Sequence, residues 1–182
     1  MLAKHTRLFY GWWIVLSLTM MSFAMQANPF NVVLKQLMTE FNSGRGMISL
    51  APSMSGIAGG FTGLFIGRLL INYSSKKFML WGNIIGGICL LLISLTHELW
   101  QVYVLYFLNG VAMSGAGALV MFTLLSKWFV KKFGTGTGII MAGSAIGSMV
   151  MTPIVGILAE NFGWRATYVF GGVELYWLSV YR

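Results

Sequence analysis

Apolar residues gather in six long stretches of the 182-residue chain, roughly 9–33, 47–71, 78–96, 99–125, 134–159 and 165–181, with charged positions largely confined to the gaps between them. Each stretch is near the roughly 20 residues that an α-helix needs to cross a hydrocarbon core, the last being the shortest. Membrane β-strands would instead alternate apolar and polar residues over about 10 positions. These runs are apolar throughout, and a helix satisfies every backbone group inside a bilayer. The pattern predicts an all-α, polytopic transmembrane bundle of about six spans in one unit over residues 1–182. The turns are short, so consecutive helices are expected to be antiparallel neighbours. Asn42 to Arg45, with Ser43 and Gly44, reads as one such turn, and Ser49 as an early residue of the helix that follows.

Composition supports this reading. The chain is 57% hydrophobic and 9% charged, against about 25% charged residues in a soluble domain. The first apolar run is too long for a signal-peptide core and lacks a small-residue cleavage site after a short apolar segment, so it reads as a span that stays. The single cysteine, Cys89, lies inside an apolar run and has no intrachain partner.

The formal net charge of +8 changes the picture only through its placement. A nucleic-acid partner is excluded, because the cations sit between apolar spans rather than along a basic stripe on a soluble fold. Lys4, Arg7, Arg68, Lys76, Lys77, Lys127, Lys131, Lys132 and Arg182 fall on one side of the alternating loops. Lys35, Arg45 and Arg165 fall on the other, together with Glu40, Glu98 and Glu160. Cytoplasmic loops accumulate Lys and Arg, so the bias predicts a cytoplasmic N-terminus in a multi-pass protein of the plasma (inner) membrane.

Helix association in lipid depends on small residues that let backbones approach. Gly59, Gly63 and Gly67 recur at four-residue spacing in the second span, with Gly56 and Gly60 beside them; Gly82 and Gly86 mark the third, and Gly143 and Gly147 the fifth. Such faces serve either static packing or sliding during a conformational cycle, and spacing does not separate the two. In "WFVKKFGTGTG", residues 128–138, the lysines and closely spaced glycines raise the question of a phosphate cradle. A P-loop needs Lys and then Ser or Thr at its final glycine, whereas Ile139 and Ile140 follow Gly138. Lys131 and Lys132 are better read as topology signals, and the glycines as the start of the fifth helix.

Polar side chains inside a bilayer are costly unless paired or facing a cavity, so they are the first site candidates. Gln26, Asn28 and Asn31 surround Pro29 in the first span, Tyr106 and Asn109 lie in the fourth, and Asn83 is a weaker candidate in the third. For each amide the alternative is a hydrogen bond to a neighbouring helix. Glu174 is the one acidic residue well inside an apolar run, which suggests proton coupling. A damaged or frameshifted end of the chain, in which Glu174 has no role, is the alternative. His5 and His97 both fall in loops and offer no metal site. No nucleophile, base and orienting group come together, so neither an enzyme nor a cofactor is expected.

Several segments resemble the N-terminal half of major facilitator superfamily transporters, and within it the monocarboxylate porters and oxalate:formate antiporter-like proteins. "WFVKKFGTGTGIIMAG", 128–143, is similar to the family's helix 5 signature at Phe129, Lys131, Lys132, Gly138, Ala142 and Gly143, and departs from it at Phe133, Thr135, Gly136 and Ile140. "FYGWWIVL", 9–16, resembles a helix 1 signature without its acidic residue, and "FGWRATYVFGG", 162–172, the usual entry to helix 6. In "GRLLINYSSKK", 67–77, the superfamily's cytoplasmic latch motif keeps Gly67, Lys76 and Lys77, but Ile71, Asn72 and Ser74 replace its acidic, basic and glycine positions. Tyr106 stands where many proton-coupled members carry Arg, and Phe30 follows Pro29 where some monocarboxylate porters carry a functional Lys.

The resemblance implies that helices 1 and 4 line a central cavity, and that six helices form one wall of a site completed by a second bundle. It implies a transporter of small organic anions, monocarboxylates or oxalate and formate, with the chain a fragment that awaits a C-terminal half or a second copy. A non-transporting membrane protein that associates through its glycine faces is the rival reading.

Overall fold

The computed structural model describes residues 3–26, 29–72, 75–129 and 132–180, with side chains from Gly11 onward except at 70–72, 76–77 and 177–180. Seven helices follow one another: α1 (Ala3–Ala24), α2 (Phe30–Glu40), α3 (Arg45–Asn72), α4 (Ser75–Ile93), α5 (Leu99–Ala116), α6 (Ala118–Trp128) and α7 (Phe133–Val180). No strand occurs among the described residues.

Local chemistry interrupts two of the six expected rods and separates two others that would otherwise run on as one. The first apolar run stops at Ala24 and resumes at Phe30, where Pro29 caps α2 with φ −74° and no amide hydrogen to give to the preceding turn. The fourth bends at Gly117, whose ψ of −173° is extended and separates α5 from α6. Helix α7 is 48 residues long, and unbroken it would reach about 72 Å, more than twice the thickness of a hydrocarbon core. Gly163 breaks it with φ 77° and ψ 171°, a conformation that only glycine adopts without strain. The arm 133–162 and the arm 164–180 are therefore separate rods.

Neighbour contacts give the directions. The first arm of α7 climbs beside α1 and α2: Gly143 lies on Thr19, Gly147 on Phe23 and Gly156 on Val32, and Gln36 Nε2 donates to Ala159 O at 2.8 Å. The second arm descends along α4, with Arg165 near Thr96 O and Gly172 against Gly87. Two buried clusters mark the ends of this up-and-down bundle. Val15, Leu18, Met21, Ile66, Met79, Ala116, Met121, Leu125, Phe129 and Ile140 pack at the near end, which holds the start of α1. Phe30, Val33, Leu37, Ile48, Ile93, Val102, Tyr106, Ala159, Trp164 and Tyr168 pack at the far end.

The outer surface is apolar. Leu64 is 72% exposed and Met149 81%, with Phe61, Phe65, Trp81, Ile146 and Phe162 also open. Exposed apolar area on this scale needs a lipid solvent. Among the described residues, three helical stretches are long and apolar enough to span alone: Arg45–Leu69, Leu99–Trp128 and the interrupted Phe133–Tyr176. Gly11–Ala24 and Phe78–Ile93 are shorter apolar helices. The expected turn at Asn42–Arg45 is present, with Asn42 at φ 43°.

Glycine contacts correct part of the sequence reading. A Cβ on Gly147 would lie 2.5 Å from Phe23 O, one on Gly82 2.6 Å from Ala112 O, and one on Gly59 3.2 Å from Gly110 O. Gly143 likewise meets Thr19, and Gly86 meets Met113. These glycines are packing positions. Gly63 and Gly67 touch no neighbouring helix: nothing lies within 4 Å of either, because α3 meets α5 at Gly59 and leaves open space beside Gly63 and Gly67. Gly87 and Gly172 make a close approach absent from the sequence reading, each placing a Cβ 2.9 Å from the other's carbonyl oxygen.

Candidate functional site

The interruptions at Pro29 and Gly117 meet at one cavity. It measures about 430 Å³ and is lined by Ala24, Met25 and Pro29 at the α1–α2 break, by Pro52, Ser55 and Gly56 of α3, and by Leu90 of α4. Tyr106, Asn109, Met113 and Gly117 close it on the α5 side, Gly171 and Leu175 on the second arm of α7. Pro52 sits inside α3 and removes the hydrogen bond that Ile48 O would otherwise accept. Non-helical backbone at membrane depth is tolerated where it lines a cavity or is buried in protein. No charged side chain is among the lining residues, so its polar chemistry rests on hydroxyl and amide groups.

Tyr106 and Asn109 are three residues apart on α5 and share a face. Asn109 Nδ2 donates to Gly86 O at 3.1 Å, which uses one of its two N–H groups. The Tyr106 hydroxyl lies 2.6 Å from the Tyr168 hydroxyl of α7. Edge-on rings continue from Phe30 to Tyr106 at 5.8 Å, from Tyr106 to Tyr168 at 6.5 Å and from Tyr168 to Trp164 at 6.0 Å. This aromatic chain closes the far end of the cavity.

The other nominated residues are placed differently. Gln26 lies beside the main cavity, lines a neighbouring space of about 290 Å³ with Ser22, Met121 and Ser144, and donates to Ser144 Oγ at 2.5 Å. Asn31 is exposed, because α2 buries the face of Phe30, Val33 and Leu37 instead. Asn28 lies outside the described residues, as does Lys131. Asn83 is 3% exposed, reaches only Met21 Sδ at 4.0 Å through its Nδ2, and leaves Oδ1 without a partner among the described residues. Glu174 is half-buried on α7, next to the cavity-lining Leu175 and three residues from Gly171, with Oε2 buried and unpartnered among the described residues. Lys132 is exposed at the near end, and the side chains of Lys76 and Lys77 are not described.

Sequence reasoning missed Tyr168 and Ser55. It ranked amides and charges inside apolar runs, and a lone tyrosine in "RATYVFGG" carries the same signal as an interfacial aromatic. Ser55 is hidden in a small-residue run that reads as packing. The two glycines three and four residues after Tyr168 were the available hint, since they bring α7 close to α4.

A family model described as Major Facilitator Superfamily matches residues 12–176. The chain is 22% identical over 167 residues to the uncharacterized MFS-type transporter YcxA of Bacillus subtilis (strain 168), covering 90% of this chain and 41% of that protein. It is 24% identical over 173 residues to monocarboxylate transporter 2 of Mus musculus, covering 91% of this chain and 35% of that one. Sialic acid transporter NanX of Escherichia coli (strain K12) is 24% identical over 123 residues, 68% of this chain and 30% of NanX. The chain thus spans less than half the length of these relatives. The crystal structure of the POT family transporter PepTSo superposes with a TM-score of 0.69 at 15% identity, over 92% of this chain and 36% of that one, and so shares the fold. An apolar-surfaced bundle of up-and-down helices, a half-depth cavity and a family match over most of the chain lead to one assignment: the chain belongs to the major facilitator superfamily.

Proposed function

We propose that the chain forms one helical bundle of a secondary transporter for small organic anions, monocarboxylates or oxalate and formate, which works by alternating access. The half-depth cavity carries the reading, because broken helices and unspent hydrogen-bond donors meet there, as expected at a transporter's midplane site. Tyr106 and Asn109 supply donors from α5, and Asn28, next to Pro29 in the sequence, is the further amide proposed for the site. Gln26 acts beside the cavity by tying α1 to α7. The similarity to a monocarboxylate transporter supports the anion class. A C-terminal half or a second copy of this chain completes the site.

Uptake of radiolabelled lactate, oxalate and formate into proteoliposomes under an imposed pH gradient tests this directly. Saturable uptake lost in Asn109→Leu and Asn28→Leu supports the assignment; background uptake by correctly inserted chain rejects it for the chain acting alone. Glu174, a carboxyl with an unpartnered buried oxygen, is the proposed proton-coupling group. Glu174→Gln should leave substrate exchange intact and remove the response to the pH gradient.

The cation bias of the loops supports a cytoplasmic near end, in a protein of the plasma membrane. Lys131→Glu combined with Lys132→Glu should lower correct insertion, and normal topology in that variant argues against this orientation. One observation favours a second reading. The open edge of α3, with nothing against Gly60, Gly63 and Gly67 and with exposed Phe61 and Leu64 beside them, suits a helix from another bundle. A crosslinked pair without any transport would make association the function.

A further inference from the structure

The hydroxyl pair between α5 and α7 has a direction. Two phenolic groups 2.6 Å apart make one hydrogen bond but hold two protons. The proton left over belongs to whichever oxygen accepts. Tyr168 is 0% exposed and does not line the cavity. If Tyr106 donated, the Tyr168 proton would be left in a dry site with no acceptor among the described residues, at the cost of its full desolvation. If Tyr168 donates, the spare proton is that of Tyr106, which borders the cavity.

We propose that Tyr168 donates to Tyr106 and thereby turns the Tyr106 hydroxyl proton into the cavity, where it hydrogen-bonds a carboxylate oxygen of the bound anion. Tyr168 is a positioning residue in this arrangement, and Tyr106 touches the ligand. Asn109, three residues along the same helix, has one N–H left after its bond to Gly86 O and lines the same cavity. Two neutral donors on one helix face offer both oxygens of a carboxylate a partner, in a cavity whose lining residues carry no charge. Hydrogen bonds to an ionised acceptor are about twice as strong as neutral ones, and a preceding O–H···O link polarises the donor further. The site thus discriminates an anion from its neutral amide. This assignment rests on the organic-anion reading above.

Equilibrium dialysis on the purified chain in lipid nanodiscs, with labelled oxalate, lactate and formate and with neutral oxamide as control, tests it on wild type, Y106F, Y168F and the double variant. Wild type should prefer oxalate to oxamide. Y106F should weaken oxalate binding about tenfold and Y168F about threefold, in the range of one charge-assisted hydrogen bond. Because Tyr168 acts only through Tyr106, the double variant should bind no more weakly than Y106F, and oxamide binding should fall by a smaller factor than oxalate binding. An unaffected Y168F, or losses that multiply in the double variant, overturns the positioning role and leaves the anion reading standing. Failure of wild type to bind any of the three anions overturns that reading, and this assignment with it. Raman difference spectra of the tyrosine Fermi doublet, wild type minus Y168F and wild type minus Y106F, read the direction without ligand. Tyr168 as the donor is expected, and an acceptor signature at Tyr168 overturns the proposal.

Discussion

At the far end of the bundle, Phe30, Tyr106, Tyr168, Trp164 and Phe41 form a chain of ring contacts, and polar bonds stitch one helix to another around them. Tyr103 donates to Met47 O at 2.8 Å, Gln36 to Ala159 O, and Arg165 pairs with Glu40 at 3.1 Å while its guanidinium lies 4.5 Å from the Trp164 ring centroid. At the near end, the buried cluster is mostly aliphatic and sulfur-rich, with Met21, Met79 and Met121 among Val, Leu and Ile side chains and one ring, Phe129, edge-on to Trp12. Rings and directional bonds accept few arrangements, whereas flexible thioethers repack at low cost. The far end is therefore built to hold one geometry, and the near end to tolerate several. The cavity lies between them and inherits one firm wall and one adaptable wall.

Breaking the firm end should have the largest effect. Trp164→Ala removes a ring that touches Phe41 and Tyr168 and is 5% exposed, and should cost about 3–5 kcal/mol. Thermal unfolding followed by circular dichroism in detergent should show a fall in midpoint well beyond that of any near-end change. Gly163→Val comes next. At φ 77° and ψ 171° a β-branched residue is strained by roughly 1–3 kcal/mol, and the reversal that brings Arg165 to Glu40 should fail in part of the population. Size-exclusion chromatography would show that as a loss of the monodisperse peak.

A paired glycine test sharpens the contrast. Gly147→Val drives a side chain into the Phe23 backbone and should cost about 1–3 kcal/mol. Gly63→Val meets open space and should leave the unfolding midpoint unchanged. Equal losses at both sites would mean that the open edge of α3 is covered. At the near end, Met79→Leu in a core of exchangeable shapes should cost under about 1.5 kcal/mol. Of the substitutions that remove a contact, the smallest effect belongs to Arg165→Gln. Both partners of its ion pair are nearly half exposed, so solvent screening holds the loss to at most about 1 kcal/mol.

Much of this arrangement was legible before any coordinates. Apolar run lengths place the ends of every span but the first to within a few residues, because a bilayer leaves no other way to satisfy that much backbone. Tyr106 and Asn109 could be nominated for the cavity because polar groups at that depth need a partner or a space. Asn31 could not be rejected, since its exposure depends on which side of α2 meets α7. Gly63 and Gly67 share their spacing with Gly59, and one-dimensional periodicity does not say which edge of a glycine-rich helix finds a neighbour. The bias of cations between loops is likewise a property of the chain alone.

The sequence by itself determined the helical class and the number of apolar spans, because apolar length is a property of the chain, and it marked Pro29, which lacks an amide hydrogen, as a weak point of the first span. Tertiary structure alone decided that α4 and the second arm of α7 meet at Gly87 and Gly172, and that Tyr168 reaches Tyr106 across 62 positions of sequence. Those contacts depend on how rods are rotated against one another, and rotation is set by the sum of many small packing terms that no short stretch of sequence contains.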